Sequence, residues 1–188
     1  MPSNQPRVGK PKPPPRSISR RALALLVVLG SSLRAGTLPS IHAQTFDDVS
    51  VNLPSDLNGK VGVLVLGFSR KSGNQTKQWT DALSQDYGHD PHVAYYQCAM
   101  LAEVPGFIRG MVIKQIRGSM SSADRSHFIA LVQDLAKWKQ AAQFSGPDDS
   151  YVLVFDGAGQ IQARFHGAET PESYGRLRDA IEGLQNRH

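Results

Sequence analysis

The 188-residue chain has one cysteine, Cys98, so no internal disulfide can form. No spanning segment is expected either: Ala22–Leu29 (ALALLVVL) is apolar, but a bilayer-crossing helix needs ~20 such residues. Residues 1–43 contain no acid, while holding seven bases: Arg7, Lys10, Lys12, Arg16, Arg20, Arg21 and Arg34. The other 14 of the 21 Lys and Arg residues meet all 16 Asp and Glu residues, a net of −2. The overall charge of +5 therefore belongs to the leader, and the remaining 145 residues lack the charge of a nucleic-acid binder. After residue 43 there is no low-complexity segment, and no internal repeat occurs.

What is present begins with that leader. A basic, Pro-rich stretch over 1–21 precedes the apolar run, which continues weakly through Gly30, Ser31 and Ser32 to Leu33. A short polar stretch then ends in Ile41-His42-Ala43, with a small residue at the cleavage position. This order is that of a secretory signal peptide over residues 1–43. Ser19-Arg20-Arg21 fits the twin-arginine signal, while Leu23 and Ala24 match its remainder loosely, so both export routes stay open. A mitochondrial transit peptide is the alternative, but such peptides are amphipathic and this apolar run is continuous.

Residues 44–188 read as one α/β domain. Phe46–Leu57 is an extended lead-in with a turn, and Val61–Phe68 (VGVLVLGF) is a strand buried on both faces. A helix follows over Asn74–Tyr87, with Thr76, Trp79, Leu83 and Asp86 on one stripe, then a strand over His92–Cys98. Pro105 opens a second helix, in which Ile108, Val112 and Ile116 recur with Phe107 and Met111 beside them. Phe128–Val132 is a short strand and Asp134–Phe144 a short helix. Tyr151–Phe155, the turn Asp156–Gly159 and Gln160–Phe165 form a hairpin whose second strand alternates, with Ile161, Ala163 and Phe165 on one face. Thr170 caps a last helix with Pro171 inside it and Tyr174, Leu177, Ile181 and Leu184 on its stripe.

Parallel strands with crossover helices, closed by an antiparallel hairpin and a packing helix, leave few topologies. This order resembles the thioredoxin-like fold, a three-layer sandwich with a central mixed sheet, from Phe46 to Leu184. Its clearest pieces are VLVLGFS at 63–69 and YVLVFDGAGQIQARFHG at 151–167. Residues 128–144 look like the insertion of its redoxin branch. The resemblance implies a Cys-x-x-Cys at the start of the first helix, where the helix dipole favours a thiolate. Those places fall here on Gly73-Asn74-Gln75-Thr76, with Gly73 and Thr76 where the thiols would be. It also implies a cis-proline before the terminal hairpin. That place is Ser150, and Pro147 is three residues early.

Other candidates are weaker. Arg70, Lys71 and Gly73 before a helix start suit an anion, but no Gly-Lys-Ser/Thr follows, and an ordinary solvated turn is the simpler reading. Cys98 ends an apolar strand, as an inert buried cysteine does. His89 and His92 have a metal-pair spacing without an identified third ligand. Arg109, Lys114 and Arg117 lie in an acid-free stretch, which is either a solvated face or a dock for anionic lipid or an acidic partner.

A redoxin-like fold without its thiols is expected to bind rather than react. It is similar in this to the mitochondrial ATP-synthase assembly factor family, distantly, in Leu153–Ile161, Gly167 and Gly67-Phe68-Ser69 with Trp79 downstream. The expectation is an exported, non-catalytic module, periplasmic or extracellular, binding a protein through Ser72, Gly73, Asn74, Gln75 and Thr76. No cofactor, metal or nucleic acid is implied, and association with a membrane surface or membrane complex is open. The alternative is a thiol oxidoreductase or peroxidase working through Cys98 alone.

Overall fold

Val61–Gly67 is the strand on which the rest is hung. In the computed structural model, which describes residues 36–187, every residue of this strand except Gly67 is buried. Counting in chain order, the strands are β1 (Gly36–Thr37), β2 (Ile41–Gln44), β3 (Ser50–Leu53), β4 (Val61–Gly67), β5 (Val93–Met100), β6 (Phe128–Leu131), β7 (Ser150–Phe155) and β8 (Gln160–His166). The helices are α1 (Gly73–Tyr87), α2 (Gly106–Gly118), α3 (Ser122–Arg125), α4 (Leu135–Ala142) and α5 (Pro171–Gln185), with a 3-10 turn at Ser55–Leu57. Six strands form one sheet in the order β1-β8-β7-β4-β5-β6, and β2 and β3 form a separate hairpin. β4, β5 and β6 run parallel, whereas β7, β8 and β1 add antiparallel pairings. This is the expected mixed sheet of a thioredoxin-like fold.

Period-2 alternation along β4 divides the core in two. Val61, Val63 and Val65 join Trp79, Leu83 and Tyr87 of α1 and Leu177, Ile181 and Leu184 of α5. Leu64 and Leu66 face the other way, into a cluster with Ile41, Val51 and Leu53 of the hairpin and Trp138 of α4. Tyr87, not Asp86, completes the α1 stripe. Asp86 instead accepts a hydrogen bond from Tyr174, whose hydroxyl also reaches the Ala82 carbonyl, tying α5 to α1. The Thr170 cap is present as a capping box with Ser173.

Three further features differ from expectation. First, β8 does not alternate strictly. Val154 opposes Ala163 and Phe155 opposes Ile161, so Gln162 is bulged and Ile161 turns to the opposite core from Ala163 and Phe165. Asp156 fixes that bulge, accepting from the Ala158 and Gln160 amides and from the Gln162 side chain. Second, α2 buries no residue at all, although its periodicity is helical. Third, β1 and most of β2 precede residue 44.

The expected boundary between Ala43 and Gln44 cuts through β2. Upstream of it, β1 pairs with the β8 edge, and Leu38 and Ile41 lie in the core. The apolar leader run and Ser19-Arg20-Arg21 lie outside the described residues. Burying Leu38 and Ile41 contributes about 1.5–3 kcal/mol each. A chain starting at Gln44 should therefore melt about 10 °C or more below one starting at Leu33, by thermal circular dichroism. Mass spectrometry of any processed form should accordingly find a first residue at or before Gly36. Equal melting points for the two starts would show that the N-terminal strands add nothing.

Candidate functional site

β4 ends at Gly67 opposite Ser150, the first residue of β7, so two loops leave the sheet side by side. Phe68 anchors the first, packing edge-on against Tyr151 and Phe144 with ring centroids 5.4 and 4.9 Å away. The Tyr151 hydroxyl organises the second, accepting from the Ser145 and Gly146 amides and donating to the Gly146 carbonyl. The loops then meet at Asp148, which accepts from Ser69 Oγ at 3.2 Å and Lys71 Nζ at 3.1 Å. Both Lys71 and Asp148 are exposed, so this pair adds at most a few tenths of a kcal/mol up to about 1 kcal/mol. A carboxylate of the chain itself thus takes up Lys71, one of the two cations suited to an anion.

The turn closes on its own hydroxyls. Ser69 Oγ accepts from the Lys71 and Ser72 amides, and Ser72 Oγ donates to the Ser69 carbonyl at 2.9 Å. Ser72 and Thr76 then lie flat against Gly67. A Cβ at Gly67 would come 2.9 Å from Ser72 Oγ and 3.2 Å from Thr76 Cγ2, so only glycine fits.

Of the five expected turn residues, Ser72 and Thr76 are buried, Gln75 is half-buried, and Gly73 and Asn74 are exposed. Thr76 Oγ1 donates to the Gly73 carbonyl at 2.9 Å and accepts from Gln97 Nε2 at 2.8 Å. Gln97 in turn accepts from Thr80. At the proline place, the buried Ser150 gives its amide to Gln75 Oε1 at 3.0 Å and its hydroxyl to the Gly167 carbonyl at 2.7 Å. Trp79 Nε1 donates to that same carbonyl. Gly167 sits at φ +85°, which favours glycine. The one cis peptide bond among the described residues is Leu53–Pro54, away from this site.

The structure brings together Ser72–Thr76, Ser150 and Gly167, and adds Gln97, Thr80 and Asp148, which the sequence reading missed. A polar residue within an otherwise apolar strand was the available signal for Gln97. Cys98 is not part of the group. It lies 1% exposed on the sheet face away from α1, among Leu66, Met100 and Ile129. Burial pushes its thiol well above the ordinary cysteine range. His89 lines a groove of about 340 Å³ with Thr80, Ser84, Tyr95, Gln97 and His127. His127 stacks on Tyr95 at 4.2 Å, and among the described residues no three His, Cys, Asp or Glu side chains converge.

No family model matches the chain, and no curated protein matches it by sequence. Solved structures do match in fold. BsSco, a member of the Sco family of cytochrome c oxidase assembly proteins, is 15% identical at a TM-score of 0.57, over 81% of this chain and 95% of that one. A thiol:disulfide interchange protein DsbE from Chlorobium tepidum is 14% identical at 0.54, covering 80% and 96%. The exposed lipoprotein thioredoxin Etrx1 of Streptococcus pneumoniae is 16% identical at 0.52, covering 77% and 99%. At these identities the likeness concerns the fold, which is thioredoxin-like.

Two predictions test the site. Native Cys98 should resist a thiol reagent at neutral pH and react once the chain is unfolded. Because the folded thiol keeps its proton above the unfolded value of ~8.5, its stabilising share is full below that pH and is lost as pH rises. Stability should thus fall by up to about 1.4 kcal/mol per unit above pH 9, and Cys98→Ala should remove that share of the slope. Rapid native labelling would overturn the assignment.

The second concerns the thiol places. A Cβ at Gly73 meets nothing within 4 Å, and Gly73 is not among the positive-φ glycines. Residues 73 and 76 are three apart on α1, where Cβ atoms lie ~5–6 Å apart, close enough for a disulfide after small adjustment. Gly73→Cys with Thr76→Cys, in a Cys98→Ser background, should form a reversible disulfide with one thiol pKa below ~8.5. A folded variant with unpaired thiols of ordinary pKa would show that the turn is misassigned.

Proposed function

We propose that this chain is an exported, non-catalytic thioredoxin-like protein that binds a protein partner, as an assembly or docking module, at the rim of its altered turn. The observation that carries this reading is Thr76, a buried hydroxyl at a thiol place, bonded to Gly73 and Gln97. It supports the helix start and offers nothing to a disulfide. The second thiol place is Gly73, which has no side chain, and the only thiol of the chain is sealed in the opposite core. The surface left for contact is Arg70, Gly73 and Asn74, all exposed, beside the exposed Lys71–Asp148 pair and with Gln75 behind them.

A binding role agrees with the distant resemblance of Leu153–Ile161 and Gly167 to the mitochondrial ATP-synthase assembly factors. It also agrees with the naming of one structural neighbour within a family of assembly proteins. Others are named for thiol:disulfide interchange, which needs thiols that this turn lacks. Export rests on the basic and apolar order of the leader.

A photo-crosslinking residue at position 74, expressed in the native envelope, tests this reading. It should give an adduct of one defined mass that a residue at position 178, on the exposed side of α5, does not. Arg70→Glu with Lys71→Glu should weaken the adduct. Identical adducts from both positions, or insulin reduction that disappears in Cys98→Ser, would overturn the proposal.

A further inference from the structure

Four helices of the described residues have eight residues or more, and three of them bury three or four side chains each. α2 buries none. Ile108, Val112 and Ile116 are half-buried along its inner side, while its outer side carries Phe107, 90% exposed, and Met111, 67% exposed. Lys114 follows on that same stripe, since spacings of four and three return to one face. Gly106, Gly110 and Gly118 flank them, and a Cβ at any of these would meet no atom within 4 Å. Phe107 and Met111 therefore stand clear of the surface. The third exposed large hydrophobic among the described residues, Val49, adjoins Asp48, which pairs with Arg117 of α2 at 2.9 Å.

Charge selects the occupant. From Val104 to Ala123 there is no acid, and α2 holds Arg109, Lys114 and Arg117. Asp48 offsets Arg117, and Arg109 donates to the neutral Val104 carbonyl and so keeps its charge. A second copy of this face would oppose cation to cation. Phe107 and Met111 are exposed and open space surrounds the neighbouring Gly106 and Gly110, so this is a projecting face and not a groove. A projecting apolar stripe with net positive charge fits a flat surface that is apolar beneath and anionic on top.

We infer that α2 is a membrane-docking element, seating Phe107 and Met111 in the headgroup boundary of an anionic bilayer with Lys114 at the phosphates. This is independent of what the turn at 72–76 binds. No described helix is long and apolar enough to cross a membrane, and α2 lies along the surface instead.

The test uses the full chain with vesicles of phosphatidylglycerol and phosphatidylcholine, against phosphatidylcholine alone. Phe107→Trp reports the face directly, because Trp79 and Trp138 are buried and supply a constant background. The emission of this variant should shift to the blue and be quenched by brominated lipid, only with the anionic vesicles. Phe107→Ser with Met111→Ser should lower partitioning by about tenfold or more with an unchanged melting point, since both side chains are exposed. Lys114→Glu should weaken binding to the anionic vesicles. If the Phe107→Trp chain sediments with vesicles while its emission stays as in buffer, the leader alone holds it and the proposal fails. A shift that appears only with added protein, and not with lipid, gives the face to a protein and also overturns it.

Discussion

The burial of β4 on both faces is the constraint from which the other parts follow. A strand without a solvent side must satisfy its backbone through neighbours and its side chains through two separate layers. It takes β5 in parallel on one edge and β7 antiparallel on the other. Its valines then need α1 and α5, and its leucines need α4 and the β2–β3 hairpin. The candidate site is a consequence of the same pairing. Because Gly67 is opposite Ser150, the residues that leave the sheet at 68–72 and those that enter it at 147–150 are adjacent, however far apart they are in sequence.

That adjacency explains the polar character of the turn. Ser72, Thr76 and Ser150 are all buried, and an unpaired buried polar group costs about 1–3 kcal/mol. Each has its partner: Ser69 for Ser72, Gly73 and Gln97 for Thr76, Gln75 and Gly167 for Ser150. The network also spans three elements, joining α1 to β5 through Gln97 and to β7 through Gln75. A thiol at position 76 could not serve both bonds as well, being a weaker donor and acceptor than a hydroxyl. The interior has been committed to support, which leaves the exposed rim as the part able to meet another molecule.

The sequence made the middle of the fold legible because β4 and the terminal hairpin are local, strongly patterned signals. The Val-rich run, the Asp-Gly turn and the Thr-Pro cap each name their element, and counting from β4 locates the thiol places. The N-terminal strands were hidden for a specific reason. Gly36–Gln44 has too few apolar residues to show a period, and it follows a leader whose pattern claims it. The bulge at Gln162 was invisible since alternation in sequence persists through it while the backbone does not. Gln97 and Asp148 were missed because their partners are 21 and 77–79 residues away.

Helix α2 shows a different limit, one of physics and not of pattern. Its period predicts a helix but does not predict what lies against it. A 13-residue helix is marginal in water without tertiary packing, so something else must hold α2. Its ends supply that. Arg109 forks onto the Val104 carbonyl at the start, while Arg117 lies over the Phe46 ring at 5.4 Å and pairs with Asp48 near the end. As the link between the parallel strands β5 and β6, the segment must cross over in any case. Pinned at both ends and half-buried between them, α2 keeps its shape without burying its outer face. A sequence under no further demand would place polar residues there, as it does on the outer faces of α1 and α5. Phe107 and Met111 on that stripe are therefore not required by the fold, and their presence points to a contact outside it.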